Sequence, residues 1–360
     1  MGSLQNTEVL KVALVRRPPP NWPLPLNNRD WTGIKIDISQ TIDEAIDLMK
    51  EAKKNGANLI AFPELWFPGF PKWREQNDWK KTHLNMYIDN ALVVGSHEWN
   101  RLISAVKVVG IWAALAFAER KDNRLFMAQA LVSPKGELVM HRHKLRPSGS
   151  ERDMFSDGEI DMLKVINTDL GRVSMLQCGE HFYPSMTFPV AAQRPKLHIG
   201  AFPFASDFDD TSDSVFYNAS LVTHGSSGFA LLSGAHVLMP SIGYTFIFDP
   251  LMRIVARMDN SISYDDHPIL YHSMNAAQFH SGETYDPDSQ VSWGVLQQIN
   301  KGYPAYIPKA PGVLTKKRTV SVSNLREGLF EWSETGPGTT ADGFKPNGER
   351  VESEKKTVAV

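Results

Sequence analysis

Short apolar runs, many of them β-branched, alternate along this chain with segments of helical spacing. Val9 to Val15 is such a run, closed off by Arg16, Arg17 and three prolines. The stretch Pro18 to Pro25 fits neither a helix nor a central strand, because proline lacks an amide donor and fixes its backbone angle. Ile42, Ala45, Ile46, Met49 and Ala52 then predict a helix over 39–54, with Gly56 as its stop. Asn58 to Phe62 reads as a strand, 96–108 as a helix, and Ile111 to Phe117 as a strand. Leu125 to Val132 and Glu137 to His143 form a predicted hairpin about Pro134-Lys135-Gly136. Further strands are predicted at 163–167, 172–177, 197–202, Phe229 to Leu232, 245–248 and 269–272, with helices near 185–193 and 214–223. Alternation with inserted hairpins predicts two helix-covered sheets rather than one wholly parallel, doubly wound sheet.

With 360 residues, 42% hydrophobic and 22% charged, the chain has material for a large core and is neither a disordered nor a fibrous sequence. Lys and Arg number 38 against 40 Asp and Glu, so the net charge of -2 gives no reason to expect a nucleic-acid or anionic-membrane partner. A single Cys excludes an intrachain disulfide and the structural zinc patterns. The first residues lack the basic start and apolar run of a secretory signal. The longest apolar candidate, Gly228 to Leu238, is broken by Ser233, Gly234 and His236, short of the roughly 18 residues of a membrane helix. These features predict a soluble protein of a reducing, cytoplasmic compartment.

Three runs deliver a reactive group just past a strand, where sites of α/β sheets gather. Leu59-Ile60-Ala61-Phe62-Pro63 ends on Glu64, the hairpin arm ending His141-Arg142-His143 on Lys144, and Val173-Ser174-Met175-Leu176-Gln177 on Cys178. A thiol, a carboxylate base and a fixed cation together meet the needs of covalent hydrolysis. Singly, each has a plainer reading. A lone Cys is more often inert core, Glu64 a solvated or capping acid, and Lys144 surface charge in a basic run.

The wording around the three residues narrows this. Phe62-Pro63-Glu64-Leu65-Trp66-Phe67-Pro68-Gly69-Phe70-Pro71-Lys72-Trp73 resembles the glutamate segment of nitrilases, the cyanide hydratase and arylacetonitrilase branches in particular. His141-Arg142-His143-Lys144-Leu145-Arg146-Pro147, with Glu151-Arg152 after it, resembles their lysine segment. Cys178-Gly179-Glu180-His181 before Tyr183-Pro184 is similar to their nucleophile segment. The likeness runs from about residue 9 to 290, in the order Glu, Lys, Cys. It implies the four-layer α-β-β-α sandwich of the carbon–nitrogen hydrolases, here one domain over 1–310. A C-terminal extension over 311–360 follows, flexible from about Thr335, where the composition turns to Gly, Pro, Thr, Asn, Lys and Glu.

The resemblance also implies roles. Glu64 is the general base, Cys178 the nucleophile, Lys144 the stabiliser of the tetrahedral intermediate and Glu151 a supporting acid of the pocket. Gly179, Glu180, His181 and Trp66 are expected to line the substrate pocket. A small-molecule nitrile is the implied substrate, a carboxylic acid and ammonia the products, and no metal or organic cofactor is required. Release of the amide, as by a nitrile or cyanide hydratase, and hydrolysis of an amide or carbamoyl group are the enzymatic alternatives. A homo-oligomer, a dimer or a longer spiral, is the implied assembly.

Three departures bear on this. Gly179 stands where relatives carry Trp, which reads either as a pocket wall removed or as a gap filled by another aromatic such as Phe182. Ser226, within Thr223-His224-Gly225-Ser226-Ser227-Gly228, replaces a glutamate, so a structural ion pair is expected to be missing. Gly282 to Asp288 carries Glu283 and Asp286 where relatives have His and Arg, a segment near subunit contacts. The first two motivate a rival from another class, a catalytically silent relative serving as an assembly protein. Retention of Glu64, Lys144, Glu151 and Cys178 argues against that rival.

Overall fold

The computed structural model describes residues 9–72, 74, 76–210, 215–280, 289–302 and 317–335. The chain runs β1 (Val9–Val15), α1 (Ile38–Lys54), β2 (Leu59–Ala61), α2 (Asn77–Asp89), α3 (His97–Val109), β3 (Trp112–Lys121), β4 (Arg124–Val132) and β5 (Leu138–His143). It continues through β6 (Val165–Thr168), β7 (Gly171–Gln177), α4 (Pro184–Ala191), β8 (Leu197–Ala201), β9 (Phe204–Ala205), α5 (Ala219–Ser233), β10 (His236–Met239) and β11 (Ile242–Gly243). Then follow β12 (Thr245–Phe248), β13 (Ile254–Met258), β14 (Ile269–Asn275), α6 (Trp293–Gly302), β15 (Lys317–Val320), α7 (Val322–Arg326) and β16 (Trp332–Thr335).

Two six-stranded sheets result, ordered β14-β1-β2-β3-β4-β5 and β13-β12-β10-β8-β7-β6. The period-2 alternation of a strand explains the layering. In β1, Leu10, Val12 and Leu14 face the second sheet, while Ala13 and Val15 face α1 and α3. In the second sheet, Met175, Leu197, Ile199 and Leu238 meet the first, and Leu176, Val237 and Met239 lie against α4 and α5. The order is therefore helix, sheet, sheet, helix: the four-layer sandwich.

Local chemistry sets the helices. The Asp37 side chain accepts from the amides of Ser39 and Gln40 to start α1, and Ser96 accepts from Trp99 to start α3. Gly110 ends α3 in the left-handed region. One expectation is corrected. Phe229 to Leu232 is not a strand but the last turns of α5, whose buried residues Ala219, Val222, Thr223, Ser226, Phe229, Ala230 and Ser233 recur at helical spacing. Gly225, Gly228 and the serines conceal that period in the sequence. The predicted helix near 214–223 is the beginning of the same element, which starts at Ala219.

Residues 317–335, part of the expected extension, pair as β15 and β16 and place Val320, Val322 and Leu325 in the core beside Leu125, Met127 and Phe155. The Val322 amide donates to the Asn123 carbonyl at 2.7 Å, docking the segment on the β3–β4 turn. The tail beyond Thr335, Trp73 and Gly282 to Asp288 fall outside the described residues. Leu325→Ala is expected to cost about 2–5 kcal/mol, the usual range for a buried leucine, read as a lower denaturant midpoint. An unchanged midpoint would mean that 317–335 is not part of the cooperative core.

Candidate active site

The three strand-end residues converge. Glu64 follows β2, and its amide donates to the Phe202 carbonyl at 3.0 Å, which ties the first sheet to the end of β8. Lys144 follows β5, with its amide on Met127 O at 2.7 Å. Cys178 follows β7 and opens a one-turn 3-10 helix, Cys178–Phe182, with φ at 38°, in the left-handed region rare for a side-chain-bearing residue. The Lys144 ammonium bonds Glu64 Oε1 and Glu151 Oε2, both at 2.8 Å, and Glu151 Oε2 also accepts from the Ser148 amide at 2.6 Å. Glu64 Oε2 is buried and has no hydrogen-bond partner among the described residues.

Burial dominates the electrostatics. It raises the Glu64 carboxyl to about 8; Lys144 opposes that rise, and Glu151 and Glu180 add to it. Burial alone would lower Lys144, but Glu151, Glu64 and Cys178 outweigh it and hold the ammonium above its ordinary range. The Cys178 thiol is pushed up by burial and by Glu64, against Lys144 and a hydrogen bond from the Gly179 backbone. The resting site thus holds a neutral thiol, a permanent cation and a carboxyl poised near neutrality.

Cys178, Gly179 and Glu151 open on a cavity of about 400 Å³. Phe70, Phe182, Tyr183, Phe204, Phe216 and Tyr217 wall it, and Arg74 lies at its edge beside Glu151 at 3.9 Å. Of the four residues expected to line the substrate pocket, only Gly179 does so. Trp66 is fully buried among Phe62 and Phe67, with its indole N–H on the Arg17 carbonyl at 2.9 Å. Glu180 is turned inward onto Arg142, with Nη2–Oε1 at 2.6 Å and Nη1–Oε2 at 2.9 Å, and accepts from the amides of Leu145 and Gln177. His181 turns away from the cavity, its Nδ1 2.9 Å from the Cys178 carbonyl. The tight turn explains the correction: residues two and three past Cys178 point elsewhere than it does. Phe204, Tyr217 and Arg74 were not singled out in the sequence, and no local pattern marks them.

Residues 11–263 match the carbon–nitrogen hydrolase family. The chain belongs to that family. Within it, an arylacetonitrilase of Aspergillus niger is 30% identical over 66% of this chain and 82% of its own length. An arylacetonitrilase of Arthroderma benhamiae is 38% identical over 47% of this chain; the match spans 52% of that relative, about half its length. A cyanide hydratase of Neurospora crassa is 34% identical over 57% of this chain and 60% of its own length. These relatives place the chain in the nitrilase branch of the family. Among solved structures, an amidase from Nesterenkonia sp. superposes with a TM-score of 0.54 at 17% identity, over 80% of this chain and 95% of that one, a likeness of fold.

Two departures of this hydrolase acquire a physical meaning. A Cβ on Gly179 would lie 2.4 Å from Ser148 Oγ, so Ser148 already occupies the space above the glycine, while Phe182 shares the cavity wall. Ser226 is fully buried on α5 and its hydroxyl has no partner among the described residues. Among the described residues, one further cluster has metal-ligand chemistry: Glu119, His141 and His143. Both imidazoles meet the single oxygen Glu119 Oε2, at 2.6 and 2.9 Å. Two ligands of one tetrahedral zinc, with bonds of about 2.0–2.1 Å, would stand about 3.3 Å apart. The cluster is a closed hydrogen-bonded triad bridging β3 and β5. No helix among the described residues is long and apolar enough to cross a membrane.

The Arg142–Glu180 pair gives a stability test. Arg142→Met strands a buried carboxylate and is expected to cost about 3–5 kcal/mol, whereas Arg142→Met with Glu180→Met recovers most of the loss. Denaturant midpoints of the three proteins check it; an equal loss in the double variant would mean packing, not charge, carries the effect.

Proposed function

We propose that this hydrolase converts an organic nitrile to a carboxylic acid and ammonia through a covalent intermediate on Cys178. The observation that carries the reading is the buried constellation itself. The thiol shares a water-poor site with a carboxyl whose second oxygen has no partner and with an ammonium held charged by two acids. A scaffold has no physical need for that arrangement. The names of the arylacetonitrilase relatives support a nitrile as substrate, and the aromatic walls suit one bearing a ring. A dry cavity of about 150 Å³ already admits benzene, so the 400 Å³ here takes a substituted ring.

In this mechanism ionised Glu64 takes the Cys178 proton as sulfur adds to the nitrile carbon, giving a thioimidate whose nitrogen receives that proton. Water then adds, with Glu64 again as base. The tetrahedral intermediate breaks its carbon–nitrogen bond, and ammonia leaves. A second water hydrolyses the thioester to the acid and restores the thiol. Lys144 supplies fixed positive charge at the developing anion, and the Gly179 N–H, on the Cys178 sulfur at rest, is a second donor there. Expulsion of the thiolate before carbon–nitrogen cleavage would yield the amide instead. A cytoplasmic location and homo-oligomeric assembly belong to the same proposal, resting on the reduced single thiol and on the family resemblance.

Intact-protein mass after mixing with aromatic and aliphatic nitriles, with ammonia followed in parallel, tests the chemistry. The expected result is an adduct on the Cys178 peptide with stoichiometric ammonia. Amide without ammonia would replace the nitrilase reading by the hydratase one, and undiminished turnover in Cys178→Ala would sink the mechanism. The base also predicts a pH dependence. Burial lifts Glu64 to about 8 and only its ionised form can take the thiol proton, so kcat/KM should climb as pH rises through about 8. A profile already flat from acid to neutral pH would remove Glu64 from the role.

A further inference from the structure

Behind the nucleophile, on the side away from the cavity, runs a chain of hydrogen bonds that the mechanism above does not use. Ser174 on β7 and His198 on β8 are register partners in the parallel ladder, and Ser174 Oγ lies 2.7 Å from His198 Nδ1. His198 Nε2 lies 3.0 Å from His181 Nε2, and His181 Nδ1 lies 2.9 Å from the Cys178 carbonyl oxygen. All four residues are buried. Phe202 stacks on His181 with ring centres 5.2 Å apart, and Phe229 sits 4.2 Å from His198.

The carbonyl fixes the direction of every bond, because it can only accept. His181 Nδ1 therefore carries a hydrogen. A neutral imidazole has one N–H, so His181 Nε2 is bare and accepts from His198 Nε2–H. His198 Nδ1 is then bare in turn, and the Ser174 hydroxyl donates to it. Burial keeps both rings neutral: His181 is lowered to about 4 and His198 lies well below its ordinary range. Glu180 opposes that lowering at His181, while Arg142 and Lys144 reinforce it. Two glycines make room for the chain. A Cβ on Gly200 would stand 2.7 Å from His181 Nε2, and one on Gly225 would stand 3.3 Å from His181 Cβ and 2.4 Å from the Phe182 ring.

What the chain holds is the backbone of the nucleophile. A left-handed conformation at a residue with a side chain costs about 1–3 kcal/mol and persists only where its surroundings over-determine it. We propose that His198 is a positioning residue for this reaction: through His181 it fixes the hydrogen on Nδ1, which anchors the Cys178 carbonyl and so the turn that presents the thiol. The proposal rests on the covalent reading of Cys178 given above.

Histidine-selective 15N NMR of the whole protein tests the directions. The expected pattern at neutral pH is His181 protonated at Nδ1 and bare at Nε2, with His198 the reverse; a hydrogen on His181 Nε2 overturns the proposal. Two variants test the role. His198→Gln keeps an N–H donor for His181 and should retain kcat within about threefold. His198→Leu should lose about tenfold to a hundredfold in kcat, the scale of a small misplacement of a reacting group, with KM little changed. Equal losses in both variants, or none in His198→Leu, would reduce the pair to core packing and overturn the proposal. If His198→Leu does not fold, His198→Phe takes its place: its ring fills the same space but offers no N–H to His181 Nε2, and an unchanged kcat would overturn the proposal. The alkylation rate of Cys178 by iodoacetamide, expected to change in His198→Leu and not in His198→Gln, is read without any substrate. It therefore separates failure of this proposal from failure of the nitrile reading.

Discussion

The buried pair of Arg142 and Glu180 is the contact on which the geometry of the site depends. Along most of their length the two sheets meet through apolar side chains, which hold layers together without fixing one against the other to a fraction of an ångström. At the site end, Arg142 on β5 grips Glu180 just past β7 with two hydrogen bonds and donates a third to Gln129 Oε1 at 2.8 Å. Glu180 in turn accepts from the Leu145 and Gln177 amides, the neighbours of Lys144 and Cys178. Lys144 and Cys178, delivered by different sheets, are thus set relative to each other through one carboxylate. Such a pair contributes little net stability, because desolvation offsets its attraction. Its contribution here is placement.

The site's charges form a balance that burial makes sensitive. Lys144 lies between two carboxyls, Glu151 and Glu64, and both hold it charged against the effect of burial. Glu151, whose position is fixed by the Ser148 amide, serves as the standing counter-ion. That leaves Glu64 free to change its protonation at a cost that burial has already made small. Without Glu151, every proton gained or lost by Glu64 would leave Lys144 paired or bare in a buried site. Two acids around one ammonium therefore allow a single one of them to change its charge.

Much of this was legible in the sequence, and the boundary is physical. Strands buried on both faces announce themselves as continuous apolar runs, and a reactive residue directly after such a run is placed by the strand. Glu64, Lys144 and Cys178 stood out for that reason, and the resemblance of their flanking segments to those of nitrilases supplied their expected roles. Direction around a tight turn cannot be read the same way. Gly179, Glu180 and His181 are adjacent in sequence, yet one faces the cavity, one Arg142 and one His198. Trp66 is two residues from Glu64 and points into the helix-covered core. The chain of Ser174, His198 and His181 depends on the register of β7 with β8, which no spacing within a strand records. Helix α5 was missed in part because its buried face is built from Ala, Ser and Thr as much as from large apolar residues.

Gly179 shows how these layers constrain one another. Any side chain there must displace Ser148 Oγ, which stands 2.4 Å from the first added carbon. Ser148 is the cap of the short turn that carries Glu151: its side chain accepts from the Glu151 backbone, and its own amide holds Glu151 Oε2. Glu151 in turn is the counter-ion of Lys144. A larger residue at 179 would thus reach beyond the cavity wall to the charge that keeps the ammonium in place. The glycine is compatible with the serine, the serine with the acid, and the acid with the cation. The shape of this pocket and the electrostatics around Glu64 are consequently linked through Ser148, whose hydroxyl a side chain at 179 would first have to turn aside.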